Sequence, residues 1–212
     1  MREIWFVGLV ALTLAGAFPA VAQAPKPPDE ATVRNLLAPS GQDRMLGQPE
    51  APITIIEYAS LSCPHCAHFA TEVLPKLKEK WIDPGKARWV LRAFPLDEAA
   101  LRAEMVARCA PPDRYFPLIE TLFATQDKWV VAKDWQTALQ HIAQLAGVPK
   151  AKFDSCVADK ALEDQVAQSR LTAAKQLSVA STPTFFINGK KYDGEPTFEA
   201  FDKVLSGLAG KS

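Results

Sequence analysis

The chain has 212 residues, with 24 lysines and arginines against 24 aspartates and glutamates, so its formal net charge is zero. Balanced charge without a basic stripe gives nucleic-acid binding no support. No second long apolar run follows the one at the start, so the body is expected to be soluble, either as one domain or as a domain with a large insertion.

Met1-Arg2 precedes an apolar segment over residues 4–18, and Ala20-Val21-Ala22 then supplies the small-x-small pattern of a cleavage site. Residues 1–22 are expected to be a signal peptide, removed after Ala22; Ala22-Gln23-Ala24 is a second candidate site and an uncleaved anchor the alternative. The apolar stretch falls short of the ~20 residues that span a bilayer. No twin-arginine pair is present, so the expected route is Sec and the expected destination the periplasm. Disulfides persist in such a compartment, and all four cysteines are therefore read as thiol or disulfide chemistry.

Residues 23–43 read as an N-terminal spacer, extended where Pro25, Pro27 and Pro28 crowd, with room for one or two helical turns over 31–38. Gly47, Pro49 and Pro52 punctuate the approach to residues 53–58, a β-branched, nearly continuous apolar run expected as a central strand buried on both faces. Residues 63–81 predict a helix with Pro64 in its first turn, where a missing N–H costs nothing. Asp83-Pro84-Gly85 is a turn and Ala87–Ala93 a second strand.

From residue 97 to about 177 the pattern is wholly helical. Asp97 is a candidate cap for Glu98–Cys109, and Pro111-Pro112-Asp113 breaks the chain before Tyr115–Ala124. Asp134 caps a helix with Leu139, Ile142, Ala143 and Ala146 on one face, which ends at Gly147. Helices at Lys150–Val157 and 160–177 complete the block. Strand character returns at Thr184–Ile187, Asn188-Gly189 signals a hairpin into Lys190–Tyr192, and a last amphipathic helix covers 197–208.

The chemistry concentrates in Cys63-Pro64-His65-Cys66, directly after the first strand and at the start of a helix. Cys63 is the candidate exposed, attacked sulfur, because a helix N-terminus favours a thiolate there, and His65 adds a donor and, when protonated, a positive charge. Cys66, one turn on, is the candidate buried partner. Glu57 lies six residues before Cys63 on the buried strand, where desolvation would raise its pKa and suit it to exchange a proton with Cys66; a polar-edge position is the alternative. Zinc would need a second ligand pair, which His65, His68 and His141 do not offer; His68 reads as helix surface and His141 as structural. Cys109 and Cys156 are read as a structural disulfide within the helical block, with a second redox relay as the alternative.

The stretches Leu46-Gly47-Gln48-Pro49-Glu50-Ala51-Pro52, Glu57-Tyr58-Ala59-Ser60, Cys63-Pro64-His65-Cys66 with Phe69, and residues 182–189 together resemble the DsbA-like family of exported thiol–disulfide oxidoreductases. The resemblance implies an α/β thioredoxin-like fold over residues 44–212, split by an all-helical insertion at about 97–177. It implies a cis-proline loop at Thr182-Pro183 that docks substrate, and an acid at the position of Glu57. Pro64-His65 between the cysteines marks the oxidants of the family. The function it implies is donation of the Cys63–Cys66 disulfide to folding exported proteins, with no cofactor beyond that cysteine pair and no metal. Reoxidation would come from a membrane quinone-linked partner of the DsbB type, and a monomer is expected. An isomerase or reductase of the same fold, or an exported surface or binding protein that retains it, are the alternatives.

Overall fold

A computed structural model describes residues 28–210. The expected signal peptide and the first part of the spacer lie outside the described residues. In chain order the elements are α1 (Glu30–Leu37), β1 (Arg44–Leu46), β2 (Ile53–Ala59), α2 (Pro64–His68), α3 (Leu74–Leu77), β3 (Ala87–Ala93), α4 (Glu98–Cys109) and α5 (Tyr115–Ala124). They continue with α6 (Gln126–Trp129), α7 (Trp135–Leu145), α8 (Lys150–Val157), α9 (Lys160–Gln176), β4 (Thr184–Ile187), β5 (Lys190–Tyr192) and α10 (Phe198–Ala209).

The five strands form one sheet in the order β1-β3-β2-β4-β5, parallel only between β2 and β3. Side chains alternate along β2, and both sets are covered. Ile53, Ile55 and Ala59 face the larger core with Cys66, Phe69, Leu77, Trp89 and Phe201, whereas Ile56 and Tyr58 face a second core with Leu37, Val90, Leu177 and Phe186. Burial on both faces is why β2 reads as an unbroken apolar run.

The expected helix over 63–81 forms, but not as a regular α-helix. Wide π turns at Phe69–Val73 and Lys78–Ile82 follow α2 and α3. Leu74 N–H bonds to Phe69 O, five residues back. Pro75 has no N–H to give and its ring would strike the preceding turn of a tight helix; the widened turn just before it makes room.

Asp97, Asp134, Asp159 and Thr197 cap α4, α7, α9 and α10, each accepting from the N–H three residues on. Asn188 and Gly189 both have positive φ, as the tight hairpin between β4 and β5 demands. Asn188 also clips that hairpin to β2: its Oδ1 accepts from Thr54 N–H at 2.7 Å and its own N–H donates to Thr54 O at 2.9 Å.

Residues 30–43 are more than a spacer. Leu37 is buried, and Val33 and Leu36 pack on the second core. Arg92 spends all five N–H donors here, in a fork on Asp43 (2.9 Å on each oxygen) and in bonds to Leu36 O, Ala38 O and the Tyr58 hydroxyl. The half-buried Arg92–Asp43 pair fastens the N-terminal segment to the far side of β3. Strand β1 was not expected either; its three residues pair with Trp89, Val90 and Leu91. Gly47 leaves β1 at φ +93°, where a Cβ would lie 2.8 Å from Ala87 O.

Candidate active site

Both cysteines of the motif are reduced and buried at the carboxyl end of β2; Cys63, expected to be exposed, is covered down to 5 % exposure in the reduced resting state. Cys63 takes the N-cap position of α2 with extended backbone angles, and Pro64 occupies the first helical position. The sulfur thus faces N–H groups that have no partner inside the helix. The Cys63 pKa falls from the ordinary 9 to about 5. The largest cause is the Cys66 S–H, which donates to the Cys63 sulfur; Thr182 and the backbone N–H groups of Cys66 and His65 add to it, against the cost of partial burial.

Thr182 meets this sulfur with two groups. As a thiol, Cys63 donates to Thr182 O at 3.3 Å. The Thr182 hydroxyl is buried with no other hydrogen-bond partner, so it is free to donate once the proton leaves and the carbonyl contact loses its role. The Thr182-Pro183 peptide bond is cis. Pairing of β4 with β2 carries this loop to Cys63 across 119 residues of chain.

Cys66 is fully buried, and its thiol pKa is driven strongly upward, first by desolvation, then by its bond to Cys63 and the nearby Glu57. Glu57 is 1 % exposed and its carboxyl is held well above the ordinary range, mainly by desolvation and then by Cys63. One cysteine is therefore poised as thiolate, the other as thiol, above a carboxyl that favours its neutral form. This asymmetry suits a disulfide in which Cys63 is attacked or leaves and Cys66 takes up a proton.

His65 reaches Cys63 through its backbone. The imidazole is exposed and has no hydrogen bond among the described residues; what reaches the sulfur is the His65 backbone N–H. His68 on α2 and His141 on α7 are also exposed. No group of three His, Cys, Asp or Glu stands ready to hold a metal ion among the described residues.

Gln126, at the start of α6, escaped the sequence reading. Its buried amide donates to Leu61 O at 2.8 Å and to Cys63 O at 3.0 Å. The helical insertion thereby grips the loop that carries Cys63. A polar residue just past the end of an aromatic helix was the only signal, and it reads equally well as surface.

Cys109 and Cys156 form a disulfide between α4 and α8, within the insertion and apart from Cys63 and Cys66, which remain free. A cleft of about 690 Å³ opens between α1, β3 and α9, lined by Leu36, Tyr58, Arg92 and Gln168 among others. It lies on the opposite face of the sheet and touches neither reactive cysteine.

A mixed sheet with a Cys-x-x-Cys helix start beside a cis-proline loop defines the thioredoxin-like fold. The thioredoxin family model matches residues 39–206. Wolbachia pipientis α-DsbA1 is 36 % identical, with a TM-score of 0.79 over 84 % of this chain and 96 % of that one. BdbD from Bacillus subtilis, 18 % identical with a TM-score of 0.71 over 79 % of this chain and 93 % of its own, shares the fold. A Rickettsia bellii protein named as a protein-disulfide oxidoreductase is 32 % identical over 167 residues, 77 % of this chain, which spans 64 % of that relative's length. The chain belongs to the thioredoxin family, in its DsbA-like branch.

Proposed function

We propose that this protein is a thiol–disulfide oxidant that passes its Cys63–Cys66 disulfide to exported proteins as they fold. The observation that carries the reading is the split in acidity between the two cysteines, with Cys63 lowered to about 5 and Cys66 driven strongly upward. A thiolate that stable makes Cys63 a good leaving group and favours the reduced enzyme, which is the condition for a strong oxidant.

In the first step a substrate thiolate attacks Cys63 Sγ. The Cys63–Cys66 bond breaks, Cys66 leaves with the electron pair, and a proton supplied through Glu57 converts it to the thiol. In the second step another substrate thiol, losing its proton to solvent, attacks the substrate sulfur of the mixed disulfide and expels Cys63 as thiolate. The substrate loses two electrons and the cysteine pair gains them. Thr182 O and the loop before β4 offer backbone groups beside Cys63 on which an extended substrate chain would add as a strand.

The periplasm is the proposed site of action, with the chain working as a monomer and reoxidised by a membrane partner of the DsbB type. The names of the Wolbachia and Rickettsia relatives support the class of reaction. The Cys109–Cys156 disulfide is assigned a structural role, tying α4 to α8.

The reading is tested by titrating the Cys63–Cys66 couple against glutathione and by following oxidative refolding of a reduced, disulfide-containing protein. A potential well above thioredoxin's ≈ −270 mV, together with refolding activity that vanishes in C63S, is expected. A potential near thioredoxin's, with no refolding, would sink it.

A further inference from the structure

Few buried side-chain polar atoms among the described residues lack a hydrogen-bond partner, and two of them are complementary: Glu57 Oε1, an acceptor, and Trp89 Nε1, a donor. Both residues are 1 % exposed. In the parallel register Ile55 pairs with Trp89 and Glu57 with Leu91, so Glu57 and Trp89 sit on neighbouring strands two residues out of step. Alternation along each strand then puts both on the face that packs against Cys66 and Phe69. A buried donor without a partner costs about 1–3 kcal/mol, so this indole calls for an explanation.

Other groups around Glu57 cannot take that place. Its cross-strand neighbours are Leu91 on β3 and Phe185 on β4. Arg88 and Arg92 alternate to the opposite face, where they bond Thr54 and Asp43. The titratable groups that act on Glu57 are the two active-site cysteines, through Cys63's effect on Glu57 and the effect of Glu57 on Cys66. Trp89 acts on the carboxyl in the opposite sense, favouring its charged form, although the resting pair lacks the geometry of a normal hydrogen bond.

We propose that Trp89 is a positioning residue for proton delivery: its indole N–H hydrogen-bonds the Glu57 carboxylate left behind when the proton passes to Cys66. This rests on the reading that Glu57 exchanges a proton with Cys66. When the Cys63–Cys66 bond opens, the Glu57 O–H bond breaks and a Cys66 S–H bond forms; Glu57 later recovers a proton from solvent. The neutral carboxyl has little use for the indole, whereas the carboxylate, desolvated and without a nearby cation, needs a donor. The indole serves the ionised state without fixing the carboxyl as an anion at rest, as a buried lysine would. Neutrality suits a group that must give its proton away and take it back.

The wild-type protein gives a first readout. In ¹⁵N-tryptophan-labelled reduced protein, the Trp89 indole N–H resonance should move downfield with pH along the Glu57 titration, and stay still in E57Q. An indole signal indifferent to Glu57 overturns the proposal. In W89F the Glu57 midpoint, followed by ¹³C-carboxyl NMR, should move to higher pH. Reduction of the W89F disulfide by a small thiol should slow about tenfold, the loss of one charge-assisted hydrogen bond, and W89F should add nothing in an E57Q background. Equal slowing in both backgrounds would assign Trp89 to packing against Phe116 alone. The NMR readout involves no turnover, so a wild type that fails to oxidise proteins would sink the oxidant reading while leaving this inference to its own result.

Discussion

Lowering the pH from 7 to 4 should destabilise the reduced protein through Cys63 alone by a measurable amount. Its thiol titrates near 5 in the fold and near 9 in an unfolded chain. A group whose folded pKa is depressed stabilises the fold fully above 9, and that stabilisation is lost as pH falls through 5. At pH 7 the native sulfur is ionised and the unfolded one is not. The two pH units between 7 and 5, at about 1.4 kcal/mol each, set a ceiling of about 3 kcal/mol. The sulfur lies just under the surface, and solvent screening reduces this to about 2 kcal/mol. Urea denaturation of reduced wild type and of C63S, compared from pH 7 to pH 4, reads Cys63 together with its effect on Glu57, because the remaining titrating groups are shared. The wild-type advantage at pH 7 should vanish by pH 4, in step with the 240 nm thiolate absorbance, which should have its midpoint near 5. A stability difference that is flat with pH, or a thiolate midpoint above 7, would refute the electrostatic account of the site.

E57Q should slow both reduction and reoxidation of the cysteine pair and flatten their pH dependence between 5 and 8, measured by stopped-flow tryptophan fluorescence; unchanged rates across that range would remove the proton-exchange role. Q126L should lower the stability of the fold by about 1–3 kcal/mol by stripping Leu61 O of its buried donor, and the 240 nm midpoint should rise as the Cys63 loop loosens. A Q126L protein with the wild-type midpoint would show that the grip on Cys63 O does not reach the sulfur. C109A/C156A should unfold about 4 kcal/mol more easily on the chain-entropy account of a loop of 47 residues, with refolding activity retained; lost activity in a folded variant would instead support the second-relay alternative.

The cysteine pair was legible because its chemistry is local: Cys63, Pro64 and Cys66 fall within four successive positions at one helix start. The hairpin at Asn188-Gly189 and the caps at Asp97 and Asp134 were legible for the same reason, each being a short-range rule. His65 shows how one residue offers such reading two groups. A histidine between two cysteines suggests an imidazole at work, whereas the helix start delivers any residue's N–H to that sulfur. Gln126 and Trp89 were illegible because their roles arise from elements meeting in space: an amide in the insertion reaching the Cys63 loop, and an indole beside a carboxyl one strand away. Docking of α1 depends on Arg92, 49 residues from Asp43, and no periodicity announces such a pairing. Pro75 did carry a visible signal within the helical stretch, and the π turn before it is the response.

The path that brings Thr182 to Cys63 also has a temporal side. Thr182 leaves the ribosome 119 residues behind the cysteine it will face, which at ordinary synthesis rates is a lag of roughly 6 to 24 s. Until then, the sheet has no β4 beside β2, and α2, five residues long, cannot persist by itself. The motif spends that interval as two unremarkable thiols on a growing chain. The low pKa of Cys63 is therefore among the last properties this chain acquires, because Thr182, which helps to hold it down, is made long after the cysteine.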